Sequence, residues 1–265
     1  MHFLSVLQKL LIPILFITFY VFEPLYAARR IPKNRTKHFI DNLKLVFINL
    51  LILSIGASFI ISLARGCEDI QFGLLHFIPH GKNNIIFALI GIFLYDLVNY
   101  GVHRLYHTVD FFWTIHRVYH ADTYIDVSTG FRLHPLESIF RVAIQTTAVG
   151  LLGIPPLSLA LYGVVAVTCI LWSHSNIEKV NQKWWHYLEK LVVMPDVQRV
   201  HHSALRKHHD NNYGIAFVIW DRLFGTYLSP KEVTGNFEIG LKGYDDNLGF
   251  VELIKDPMMP PKHTG

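Results

Sequence analysis

The chain of 265 residues is poor in charge and in cysteine: 17% of its residues are charged and two are Cys. Two cysteines exclude a disulfide-framework miniprotein and any zinc-finger spacing. Cys67 reads as a loop residue and Cys169 lies in an apolar run, so no disulfide joins them in this reading. The low charge, set against the quarter typical of soluble domains, excludes a disordered chain. No internal repeat or low-complexity tract is present, which excludes a fibrous repeat. No Gly-rich dinucleotide fingerprint, haem-attachment motif or cysteine cluster occurs either. The formal net charge of +4 is too mild to indicate nucleic acid.

What is present is apolar bulk, with 51% hydrophobic residues and a mean hydropathy of +0.31. About 20 apolar residues cross a bilayer as a helix. Leu10 to Ala27 is a first candidate span, interrupted by Pro13, Glu23 and Pro24. Tyr26-Ala27-Ala28 resembles a signal cleavage site, but the positive residues follow the apolar stretch, the reverse of a signal peptide. The first span therefore reads as uncleaved. Leu45 to Ala64 is the second span and Asn84 to Gly101 the third. Ile139 to Trp172 is too long for one helix and is broken at Pro155-Pro156, so it reads as a helical hairpin. Arg29, Arg30, Lys33, Arg35 and Lys37 form a basic loop that the positive-inside rule places in the cytoplasm. Alternating the spans then puts 103–138 and 174–265 on that same side. The expected fold is all-α and integral to the membrane, with about four spans and a cytoplasmic histidine-rich cap. Residues 1–101 form the spans, 102–229 the catalytic region and 230–265 a cytoplasmic tail. Trp184, Trp185, His186 and Tyr187 read as an interfacial anchor, and Asp256 to Gly265 as a loosely ordered tail.

The second excess is histidine, with 16 against 20 acidic residues. Eleven of the 16 lie between 103 and 209. His103 and His107 are spaced i, i+4, as are His116 and His120. Such pairs share one helix face and can hold one metal ion. His134, His174, the doublet His201-His202 and the doublet His208-His209 complete the set, the last leaning to a supporting role. His2, His38, His76, His80, His186 and His263 read as ordinary core or surface residues. About eight imidazoles exceed one ion's coordination number, so two ions are implied. Imidazole suits iron, zinc, copper and nickel. A closed structural zinc site often uses cysteine, and an all-histidine site beside a membrane points instead to iron handling dioxygen.

These residues resemble the membrane-bound fatty acid hydroxylase and sterol desaturase superfamily. The resemblance runs from about Asp96 to Tyr227, through His103-Arg104, His107, His116 and His120, then Val127 to Glu137 and His174-Ser-Asn176. Arg199-Val-His-His-Ser203, Asn212-Tyr-Gly214 and Trp220 to Tyr227 continue it. It implies a di-iron centre with dioxygen as co-substrate, held by His103, His107, His116, His120, His134, His174, His201 and His202. In two family motifs that read His-x-x-His-His, Tyr119 replaces the middle histidine of one and Gln198 the first of the other. Either residue is a possible ligand or an outer-shell partner.

Ligand imidazoles usually donate their second N–H to a carboxylate or carbonyl. Asp96, two helical turns before His103, is one such partner; Asp122, Glu137, His209 and Asp210 are others. Asp221-Arg222 reads as a structural ion pair. The implied function is oxygen-dependent C–H oxidation of a lipid, whether a fatty acid, sterol, sphingoid base or alkylglycerol. A non-redox metal-dependent membrane enzyme and a non-catalytic chain with a decayed site are the alternatives. Electrons must come from a separate reductase, ferredoxin or cytochrome, since the chain carries no motif for a redox cofactor of its own. No nucleic-acid partner is expected. A compact chain with no added domain or retention tail points to a bacterial inner membrane.

Overall fold

The apolar runs become helices, and proline and glycine decide where they stop. The computed structural model describes residues 2–78, 85–180, 182–233, 237–244 and 248–260, with side chains from residue 12 onward. His80 and His263 lie outside the described residues, as does the side chain of His2. The long elements are α1 (His2–Phe22), α2 (Arg35–Ile70), α3 (Ile85–Thr108), α4 (Asp110–His120), α5 (Pro135–Leu152) and α6 (Pro156–His174). Short helices follow: α7 (Lys183–Leu188), α8 (Pro195–His201), α9 (Arg206–His209), α10 (Ile219–Leu223) and α11 (Phe250–Lys255). Among the described residues there are isolated β-bridges but no strand.

Among the described residues, three helical segments are long and apolar enough to cross a membrane: Arg35–Phe77, Ile85–Thr108 and Pro156–His174. A shorter apolar helix covers Ile12–Leu25. The outward faces are apolar, the reverse of a soluble bundle. Phe47 is 78% exposed, and Leu50, Leu51, Ile55 and Phe59 on α2 share its exposure, as do Ile85, Ile86 and Leu89 on α3. An exposed apolar surface of this extent is stable against lipid. α2 is longer than the expected second span. At 1.5 Å per residue, its 36 residues reach roughly 54 Å, well beyond a hydrocarbon core of about 30 Å. Its C-terminal extension takes in Cys67, which is therefore helical and not in a loop. Cys67 and Cys169 are both buried free thiols.

The expected hairpin forms, but its arms splay. Gly153, at φ +69°, ends α5 in the left-handed conformation. Pro156 then opens α6 at its first position, where a missing N–H costs nothing. α5 packs on α2, and α6 packs on α3 and α1. Close approaches seat both pairs. A Cβ on Gly56 of α2 would lie 2.5 Å from Val142 of α5, and one on Gly91 of α3 would lie 2.3 Å from Ser158 of α6. Polar groups inside the bundle are paired, as a low-dielectric interior requires. Asn49 donates to Leu133 O at 2.7 Å and accepts from Ser138. Gln145 donates to Asn99 at 2.7 Å.

His103 and His107 in the last turns of α3, His134 ahead of α5 and His174 at the end of α6 all lie at one end of the bundle. The basic loop joins that end, where Ala28 N–H donates to Asn176 O and Arg35 pairs with the buried Glu23 at 3.0 Å. Two readings of peripheral segments need correction. Trp185 is fully buried against Trp172, Val193 and Met194, so only Trp184 and Tyr187 are exposed as an anchor would be. The tail is fixed at Asp256, whose buried carboxylate accepts from Arg117 Nε and Tyr244 OH, each at 2.8 Å.

The α3–α6 contact gives a direct test. Gly91→Val places methyl groups where Ser158 and Pro155 already sit, and overpacking of this kind costs about 1–3 kcal/mol. The expected result is a lower thermal midpoint in detergent; an unchanged midpoint would show that the two helices are not seated as described.

Candidate metal centre

Five histidines converge beneath the end of α3. His103 and His107 reach in from α3, His116 and His120 from α4, and His201 from the end of α8. All are buried, and one ring nitrogen of each lies within 4.8 Å of the others. His107 and His120 approach Nε2 to Nε2 at 3.1 Å, and so do His103 and His201.

The outer hydrogen bonds fix the tautomers. A carbonyl or carboxylate oxygen can only accept, so the imidazole nitrogen facing it carries the proton. His103 Nδ1 donates to Tyr213 O at 2.8 Å, and His201 Nδ1 donates to Asn211 O at 2.7 Å. His116 Nδ1 donates to Glu137 at 3.1 Å, and His107 Nδ1 faces Asp210 at 3.4 Å. The inward Nε2 of each therefore presents a lone pair. His103 and His201 aim two lone pairs at one another at 3.1 Å with no proton between them. His116 Nε2 and His120 Nδ1 are buried without any partner. Neutral imidazoles so arranged repel, and a cation among them relieves it. The donor set fits a metal of the kind imidazole favours. Burial, reinforced by neighbouring imidazoles, holds His120, His201 and His202 well below the usual 6.5, so they are neutral and able to ligate at pH 7.

The carbonyls that hold these rings come from a segment that the sequence reading counted in the family resemblance but gave no role in the site. Asn212 adopts the left-handed conformation at φ +60°, which Asn tolerates better than most residues. Its side-chain amide is clamped to Leu228 in both directions at 2.9 Å. This turn aims Asn211 O at His201 and Tyr213 O at His103. Asp221 anchors it by accepting the Tyr213 and Gly214 N–H groups at 2.8 Å. Asp221 is thus a turn anchor and not the partner of Arg222, which donates to Glu189 O. Burial raises the Asp221 carboxyl to about 6. The Asn-Asn-Tyr-Gly run carried the signal, since Asn is enriched at positive φ.

The other expected residues divide. Glu137 supports His116 and is itself held by Arg141 at 2.8 Å. Asp210 faces His107 and also receives Arg206 at 2.9 Å. His209 stacks on Trp113 at 5.1 Å and donates to Ser203 O, beside the cluster. Asp96 touches no histidine: it accepts from Tyr162 and Trp220 and from the Ala216 and Phe217 N–H groups, tying α3 to the loop beyond Tyr213. Asp122 pairs with His38 at 2.8 Å and accepts from Thr129, with no hydrogen bond to the five-histidine cluster.

His134 is not brought to the cluster. Its Nδ1 accepts the Leu136 N–H, capping α5, and its Nε2 donates to Ile254 O at 3.2 Å. Pro135 sets the helix start there, and the side chain turns back to satisfy it. His174, Tyr119 and Gln198 form a group of their own. His174 Nδ1 donates to Ile170 O at 2.9 Å, and its Nε2 receives Tyr119 OH and, at 3.2 Å, Gln198 Nε2. His202 stacks on His120 at 4.7 Å between the two groups, with both ring nitrogens unpartnered.

A cavity of about 340 Å³ leads to this end of the bundle. Leu53, Ile60, Leu159 and Ala166 line it from α2 and α6, and His103, His116, Tyr119 and His174 stand at its end. Among the described residues, Arg141 is the one arginine or lysine on its wall.

Comparison with known proteins matches the region that holds these residues. The fatty acid hydroxylase family model matches residues 88–226, which contain every histidine of the cluster. An ornithine lipid hydroxylase of Rhizobium tropici is 27% identical over 204 residues, covering 77% of this chain and 60% of that protein. An alkylglycerol monooxygenase of Danio rerio is 31% identical over 137 residues, covering 52% of this chain and 29% of that protein. A ceramide very long chain fatty acid hydroxylase of Saccharomyces cerevisiae is 27% identical over 157 residues, 53% of this chain and 38% of that protein. The match thus spans less than two thirds of each relative's length. No solved structure matches the chain.

Two expectations follow. Asn212→Val forces a branched residue into the left-handed region, at a cost of about 1–2 kcal/mol. Releasing the carbonyls that hold His103 and His201 should also weaken metal affinity by about 10–100-fold; competition titration against a chelator reads this, and an unchanged affinity would refute it. In acid, the unfolded chain protonates His120, His201 and His202 near pH 6.5 while the folded chain does not. Metal-free protein should therefore lose stability as pH falls below about 6.5, by up to about 1.4 kcal/mol per pH unit for each histidine. A thermal midpoint that holds steady from about pH 7 to 5 would contradict this.

Proposed function

The chain belongs to the fatty acid hydroxylase family, and from that premise we propose that it is a membrane-bound, iron-dependent oxidoreductase that uses dioxygen to oxidise a C–H bond of a lipid. The observation that carries the reading is the apolar cavity, which runs between α2, α3, α5 and α6 and ends on the histidines. A lipid tail threaded there would bring a methylene group to the ring cluster and exclude water from it. The relatives act, by their names, on ornithine lipids, alkylglycerols and ceramide fatty acids. A lipid substrate of that broad class is consistent with the lining.

The five imidazoles of His103, His107, His116, His120 and His201 would hold the iron. Bound iron would supply the reduction of dioxygen and the abstraction of hydrogen, which no amino-acid side chain performs. The chain's own part is to keep His120 and His201 neutral, to fix His103, His107, His116 and His201 through Nδ1 and to shield the cavity end from water. Glu137 ties His116 to Arg141, so the cavity wall and the ring cluster are joined by hydrogen bonds. The electrons would come from a separate reductase, ferredoxin or cytochrome. About four membrane-spanning segments in a bacterial inner membrane, with the histidine end in the cytoplasm, complete the reading. The basic residues 29–37 pack at that same end, as the positive-inside rule favours.

Oxygen uptake by detergent-purified protein, given a lipid extract and a reductant, should require iron and cease on chelation. Turnover persisting under strict anaerobiosis would defeat the reading. His107→Ala should abolish both iron binding and activity while leaving membrane insertion intact. Ala166→Phe should fill the cavity and lower kcat/KM roughly tenfold or more with iron content unchanged. Equal kcat/KM in that variant would show that the lipid reaches the site by another route.

A further inference from the structure

The histidine tally allows two ions, yet the hydrogen bonds divide the imidazoles unequally. At the first position the lone pairs of His103 and His201 face one another unprotonated, and His116 Nε2 and His120 Nδ1 have no partner. That pocket calls for a cation. At the second position, around His174, the opposite holds. His174 Nδ1–H is spent on Ile170 O, and the remaining lone pair on Nε2 already receives two donors, Tyr119 OH and Gln198 Nε2. Gln198 Nε2 also reaches Tyr119 OH at 3.4 Å, closing a triangle. All three side chains are buried.

The two departures from the family pattern are therefore one event in space. Tyr119 and Gln198 are 79 residues apart in sequence and meet on a single imidazole. Each brings a hydrogen-bond donor where a ligand would bring a lone pair. The positive ends of the O–H and N–H dipoles point at His174 Nε2, the place a cation would occupy. The nearby carboxylates already have partners: Glu137 is committed to His116 and Arg141, and Asp122, whose charge reaches His174 and His202, to His38 and Thr129. His202, with both nitrogens unpartnered, is one imidazole next to this pocket, and one imidazole is too small a ligand set for a second ion.

We propose that the chain holds one metal ion, in the pocket of His103, His107, His116, His120 and His201, and that Tyr119 and Gln198 close the neighbouring pocket around His174 with hydrogen bonds in place of a second ion. The inference rests on the metal-centre reading above. It keeps Tyr119 as a protonated phenol on the wall of the lipid cavity, beside the ion and not bound to it.

The test is metal stoichiometry, read independently of activity. Purified protein is reconstituted with ferrous iron, desalted and analysed for iron per chain. One ion per chain is expected. Two ions would overturn the inference while leaving the metal centre standing; none would remove the metal centre and the inference with it. In the ferric protein, a visible tyrosinate-to-iron absorption band would make Tyr119 a ligand and overturn the proposal; its absence is expected. His174→Ala should retain one ion, and loss of that ion would place His174 in the occupied pocket. The double variant Tyr119→His, Gln198→His should rise to two ions. A double variant that keeps the wild-type thermal midpoint but still binds one ion would show that these residues are not what excludes the second.

Discussion

Four imidazoles of the cluster, His103, His107, His116 and His201, are held from outside at Nδ1, and that constraint turns their Nε2 lone pairs inward. Four different elements supply the outer acceptors: the turn at 211–213, Glu137 of α5, Asp210 and, for His174, the last turn of α6. None of these groups ligates, yet without them the rings would be free to rotate and protonate on either nitrogen. Burial does the rest, because a charged imidazole has no water to stabilise it there. Neutrality, orientation and metal competence are three consequences of one arrangement of hydrogen bonds.

The membrane bundle serves that arrangement from the other side. Its helices pair through close approaches at Gly56 and Gly91 and through buried amides, and the splay of α5 from α6 leaves a cavity between them. The cavity and the histidines meet because α3 and α6 both end in ligand-type residues at the same level. Asp96 joins the two halves. It sits deep in α3, and its four donors tie that helix to the loop following Tyr213. Its influence on His103 runs through the backbone of that loop and involves no direct bond.

Much of this was legible in advance. The apolar runs, the break at Pro155-Pro156 and the two i, i+4 histidine pairs are periodic or local signals, and each appears as a helix, a chain reversal or a shared helix face. The rule that ligand imidazoles need an outer acceptor named Glu137 and Asp210 without saying which histidine each holds, and it also named Asp96 and Asp122, whose partners lie elsewhere. His134 illustrates the failure. Its neighbours in sequence made it a ligand by motif, but a residue preceding Pro135 stands at a helix start, and capping competes for its ring. Trp185 failed likewise: an aromatic pair reads as an interfacial anchor, while packing against Trp172 and Met194 buries one member of it.

The sequence by itself determined the class of molecule. Apolar runs of this length must be helices in lipid, and histidines at helical spacing must share a face; both facts depend only on local geometry. What it could not determine is how the imidazoles are shared out. That depends on which proton each ring carries, and the proton is decided by an acceptor often a hundred residues away, such as Tyr213 for His103 or Asp210 for His107. Tyr119 and Gln198 looked like two separate lapses from a pattern in the sequence. Only the tertiary structure places both on His174, where their donors meet a single lone pair.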